Sequence, residues 1–202
     1  MVTEEKLLSY EKETLPEAAD TLDSADIKKL VDWLAVNDDT LRYHSFLLLK
    51  HRSEAYDDVY PYWGIFCEKL GSSNSYQRSL GVMLIAANAK WDTENKMDIV
   101  INEYLAVLGD EKPITVRQCI QALEDIVPYK RHLLEKIADS LTALELDSIK
   151  ETMRKSILVD ILTVLAMIKK QYTNERLESY IISALSGGIL DRKSVRQIES
   201  LL

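Results

Sequence analysis

Helix breakers and covalent staples are scarce in this chain. Its 202 residues include six glycines and four prolines, too few to punctuate the many short strands of a sandwich or barrel. The two cysteines, Cys67 and Cys119, are far apart in sequence; they form no disulfide framework and suit reduced core thiols in a cytoplasm. No apolar run reaches the roughly 18 to 20 residues a bilayer crossing needs. The most apolar stretches, 80–89 and 157–168, are short, and Asp160 interrupts the second. The opening residues lack the basic lead and apolar stretch of a secretion signal. Also missing are a glycine-rich phosphate loop, a nucleophile elbow and a paired-carboxylate motif. The histidines, His44, His51 and His132, have no further ligand at metal spacing. The expectation is a chain with no catalytic residue, no metal and no cofactor.

Positive charge is also in short supply, since the formal net charge is -8. Residues 1–23 carry seven acids against two lysines, so most of the imbalance is N-terminal. An acidic chain repels a phosphate backbone, which makes nucleic acid a poor default partner. What the chain does have is apolar content, at 47%, ample for a core.

That content is arranged periodically. Arg42, Arg78, Arg117, Arg154 and Arg196 recur at separations of 36, 39, 37 and 42 residues, and Asn37, Gly71, Gly109, Leu146 and Gly187 keep step with them. A period near 37 to 40 in a helix-patterned sequence predicts stacked helical hairpins, each burying its apolar face on its neighbours. Cap and periodicity signals divide residues 24–202 into five such hairpins. Ser24 is read as the cap of the first helix, Asn37 as its left-handed terminator, and Asp38 to Thr40 as the cap of the next. Pro61 and Pro113 sit at helix starts, where a missing amide costs nothing. Gly81, Ala86 and Ala87 permit close helix approach. The fold class expected is all-α, a right-handed α-α superhelix of about five hairpins, preceded by an acidic segment or cap at 1–23.

Helical pairs of this length, with an arginine opening each second helix and acids in the preceding turn, resemble HEAT repeats over residues 24–202. The segments 84–92 (LIAANAKWD) and 110–120 (DEKPITVRQCI) are similar to those of small bacterial single-domain HEAT-like proteins, some labelled SufBD-like after iron–sulfur assembly. A cluster takes four Cys or Cys and His ligands, which two separated cysteines do not supply. The resemblance therefore implies a non-catalytic, cytoplasmic protein-interaction scaffold and transfers no catalytic residue.

The arginines are read as a structural ladder, paired with Asp38 or Asp39, Asp110 or Glu111, Asp147 and Asp191. Aligning the second helices on them brings Tyr43, Ser79, Gln118 and Lys155 to one position. Phe46, Val82, Gln121 and Leu158 lie four residues after the arginines, and Lys50, Ala86, Asp125 and Leu162 eight after, on the same face. From this stripe Tyr43, Ser79, Gln118, Gln121 and Lys155 are candidate contacts for a protein or peptide, with Trp91 as an exposed aromatic in a turn. Tyr56, Tyr60, Tyr62, Trp63 and Phe66 form an aromatic cluster suited to core or interface. The rival readings are a HEAT-like DNA-binding or alkylpurine glycosylase-type repair protein, with a positive groove around Arg78, Lys90, Trp91, Lys112 and Arg117, and a homodimer through the last helix or the aromatic cluster.

Overall fold

A computed structural model describes all 202 residues as twelve α-helices joined by turns and short 3-10 segments, with no strand. Two short helices come first, α1 (Glu4–Leu8) and α2 (Leu15–Asp20). Ten more follow in chain order: α3 (Ser24–Trp33) and α4 (Asp39–Ala55), α5 (Trp63–Leu70) and α6 (Ser75–Ala87), α7 (Lys96–Ala106) and α8 (Pro113–Ile126), α9 (Leu134–Thr142) and α10 (Glu151–Lys169), α11 (Glu175–Ser186) and α12 (Arg192–Glu199). No helix is long and apolar enough to cross a membrane.

Polar side chains set many of the helix starts. Asp38, Asn74, Asn174 and Asp191 each accept a hydrogen bond from a first-turn amide of the following helix, filling donors that the helix leaves open. Asp23 rather than Ser24 caps α3, accepting from the Asp26 amide at 2.8 Å. Pro113 opens α8 as expected, whereas Pro61 lies in a 3-10 turn just ahead of α5. Asn37 is not left-handed; the non-glycine residue with positive φ is Asn95, at 55°, just before α7. Gly188, at φ 83°, makes the turn between α11 and α12.

The second helices pack in series, α4 on α6, α6 on α8, α8 on α10 and α10 on α12. The first helices contribute α5 on α7 and α9 on α11. Lying between two neighbours, α6 buries Ser79, Leu80, Gly81, Val82, Leu84, Ile85 and Ala86, which is why its sequence is apolar nearly all round. Gly81 lets α5 and α6 meet closely: a Cβ there would stand 2.9 Å from the Phe66 carbonyl oxygen. One apolar core runs from Val2 to Ile198. The acidic N-terminal segment belongs to it, since Leu7, Leu15 and Ala19 are buried and α1 and α2 both pack on α4. Arg52 fixes this arrangement by donating to the Ala19 and Asp20 carbonyls while pairing with Asp58 at 2.7 Å. Tyr60, Trp63 and Phe66 are core residues, which takes the centre of the aromatic cluster away from any interface. Cys119 is buried and Cys67 half-buried, both as free thiols.

Candidate functional site

Four of the five ladder arginines hold carboxylates. Arg42 pairs with Asp39 and lies over the Tyr76 ring. Arg78 binds Asp110 through Nε at 2.5 Å and Nη2 at 2.9 Å, and donates to the Ser72 carbonyl. Arg117 binds Asp160 at 2.6 and 3.2 Å, and Gln121 donates to the same carboxylate at 3.1 Å. Arg154 secures the turn ahead of its own helix through the Asp147 and Ile149 carbonyls and the Asp147 carboxylate. Arg196 departs from the expectation. It stands exposed on α12, while Asp191 faces α10 and pairs with Lys155.

These contacts belong to a wider set that spans one sequence period. Asn88 donates to Ser53 Oγ across 35 positions, the Trp91 indole to the Ser53 carbonyl across 38, and Lys130 to the Asp92 carbonyl across 38. The Ser79 and Thr115 hydroxyls meet across 36. Two of the proposed contact residues are thereby used up internally. Ser79 is only 3% exposed, because its position on α6 is covered by α8. Trp91 is half-buried, its N–H bonded and its ring under Lys90 at 4.5 Å. Phe46, Val82 and Leu158 are likewise buried in the core.

Tyr43, Gln118 and Gln121 remain accessible on the face made by α4, α6 and α8, and Lys155 is exposed but tied to Asp191. This face carries two adjoining hollows. One of about 260 Å³ lies over Ala86 and Ala87, bounded by Lys50, Glu54, Lys90, Asp125 and Tyr129. A second of about 100 Å³ lies between Met83, Gln118 and Gln121. Lys50 and Asp125 line both, yet they form no ion pair with each other or with any other side chain within 4.0 Å. Desolvation in the groove pushes the Asp125 carboxyl above its ordinary range; Glu54 adds to this, while Lys50 and Lys90 oppose it. Its neighbour Glu124 is raised as well, by burial first and then by Asp125 and Asp160. The groove thus presents a cation, Lys50, and an anion, Asp125, neither in an ion pair, beside Ala86 and Ala87.

Glu54, Lys90 and Tyr129 were legible only indirectly as groove residues. They stand twelve positions after Arg42, Arg78 and Arg117, so the ladder's period, carried to the ends of the second helices, would have brought them together. Comparison with protein-family models, curated proteins and solved structures found no match to this chain.

Proposed function

We propose that the chain is a HEAT-like solenoid of five helical hairpins in a right-handed superhelix, acting as a non-catalytic scaffold that captures a protein or peptide on the groove of α4, α6 and α8. The serial packing of the second helices and the hydrogen bonds spaced by one repeat support the solenoid reading. The unneutralised Lys50 and Asp125 pair carries the binding reading. Charges on an accessible face that are in no ion pair are free to meet a polypeptide bearing the complementary charges on docking. Free thiols at Cys67 and Cys119 favour a cytoplasmic setting.

The duplex-binding alternative draws on cations that have other partners. Arg78 and Arg117 hold Asp110 and Asp160, Lys90 donates to the Glu54 carbonyl, and Lys112 lies 3.4 Å from Glu111. Self-association through the last helix would have to use a polar surface, since Ile198 is in the core and Arg192, Lys193, Arg196 and Gln197 face solvent.

Affinity capture from the native cell tests the groove. The wild-type chain should retain a partner, and Gln118→Lys combined with Gln121→Lys should reduce its recovery severalfold. Undiminished recovery with the double variant removes the groove from consideration.

A further inference from the structure

Three of the four junctions between successive hairpins are tied together at their turn edge. Gln77 in α6 donates to the Leu34 carbonyl in the turn of the first hairpin, Arg78 reaches forward to Asp110, and Lys155 reaches forward to Asp191. The junction between the third and fourth hairpins has no such tie. Arg117 crosses instead to Asp160 in the body of α10, and Asp147 is held by Arg154 of its own helix. The two turns, 107–112 and 143–150, stand apart, and a cleft of about 550 Å³ opens between them. That volume is within the range of about 300 to 1,000 Å³ typical of ligand sites, and it exceeds both hollows of the groove.

The chemistry of the cleft is graded from floor to rim. Leu108, Val116 and Ile157 form a buried apolar floor, and Leu144 and Ile149 form the wall on the side of the second turn. Glu111 stands at the rim on one turn and Glu145 on the other. Glu111 is 75% exposed and has only a 3.4 Å contact with its neighbour Lys112, and Glu145 is in no ion pair. Asp110 also lines the cleft but is committed to Arg78. Lys150 is the single cation among the lining residues. An apolar cavity with two available carboxylates at its mouth is complementary to an apolar side chain adjoined by a positive one.

We propose that this cleft docks a partner peptide by taking a leucine- or phenylalanine-sized side chain between Leu108, Val116, Leu144 and Ile149, with an adjacent arginine or lysine of the peptide meeting Glu111 and Glu145. The site shares no residue with the groove of α4, α6 and α8 and stands whether or not that groove binds anything.

Amide chemical shifts of the full-length, isotope-labelled chain, titrated with three capped tetrapeptides, test the assignment. Acetyl-Gly-Phe-Arg-Gly-amide should move the resonances of 109–111 and 144–150. The Gly-Phe-Glu-Gly and Gly-Ser-Arg-Gly counterparts should bind at least tenfold more weakly. Val116→Phe, which fills the floor, should weaken the first peptide at least tenfold while leaving distant resonances in place. Should that variant misfold, Glu111→Lys with Glu145→Lys, at two exposed positions, should reverse the preference toward the Phe-Glu peptide. Equal response to all three peptides, no response at the two turns, or shifts confined to Lys50 and Asp125 would each overturn the cleft assignment. The last of these would leave the groove proposal standing.

Discussion

Asp92 gathers four donors onto one buried carboxylate: the Tyr60 hydroxyl at 2.8 Å, the Lys96 and Met97 amides at 2.8 and 2.9 Å, and the Lys130 ammonium at 2.8 Å. Burial alone would push this acid up, but the bonds from Lys130, Met97, Tyr60 and Lys96 outweigh it and hold Asp92 below the usual carboxylate range. Because Lys130 is itself only 3% exposed, Asp92→Ala would strand a buried charge, at a cost of roughly 3 to 5 kcal/mol. Urea titration should show this loss, and a midpoint close to wild type would refute the role. Asp110 and Asp191 are also held low, Asp110 by Arg78 against an opposing burial effect and Asp191 by Lys155 and the Ser194 amide. An acid with a depressed folded-state pKa contributes stability above its unfolded value of about 4, and that contribution disappears as pH falls toward the folded value. Thermal midpoints should therefore decline as pH drops below about 4, with a shallower decline in Asp92→Asn. Asp125 has the opposite sign. Its raised pKa makes the charged form a burden on the folded state as pH rises past the unfolded value, so Asp125→Asn should gain stability at neutral pH while losing partner capture in the same preparation.

Individual helices depend on close approaches that their sequences announce. Gly81→Ala would drive a methyl group against the Phe66 carbonyl at 2.9 Å and Lys69 Cβ at 3.1 Å. Alanine's better helix propensity, worth about 1 kcal/mol, should be exceeded by an overpacking cost of about 1 to 3 kcal/mol, and the melting temperature should fall. A rise in melting temperature would mean that α5 and α6 separate freely. Most of the ten later helices were readable because apolar spacing is joined near their boundaries by Gly71, Gly109, Pro113, Pro128 or Gly187, whereas the turns 34–38 and 143–150 carry neither residue type. Individual caps were less so. Asp23 and Ser24 are adjacent and both competent to cap, and only the backbone direction entering α3 selects Asp23. Asn37 and Asn95 are equally tolerant of positive φ, and the turn geometry before α7 assigns it to Asn95. Ser79 and Gln118 occupy the same position in their helices, yet the first is covered and the second open, because coverage depends on the neighbouring helix rather than on the helix itself.

In the whole molecule, each second helix packs on the ones beside it, and one side of α4 is covered by α1 and α2. Deleting residues 1–22 should uncover that side of α4, free Arg52 from the Ala19 and Asp20 carbonyls, lower the melting temperature and promote aggregation on heating, as read by light scattering. An unchanged melting temperature would make the segment dispensable. The all-helical character of the chain was legible in the sequence. The turn-edge cleft was not, because it arises where Arg117 chooses Asp160 over the turn ahead, a choice that spacing alone does not encode. The two native sulfurs add a practical consequence at this scale. Burial pushes the Cys67 thiol up to about 11, with Glu103 contributing, and raises that of the enclosed Cys119 as well. Both stay protonated and sluggish toward maleimides at neutral pH. Dye pairs placed on cysteines introduced at Glu11 and Glu199 would then report the end-to-end span by energy transfer, with no need to remove the natural thiols first.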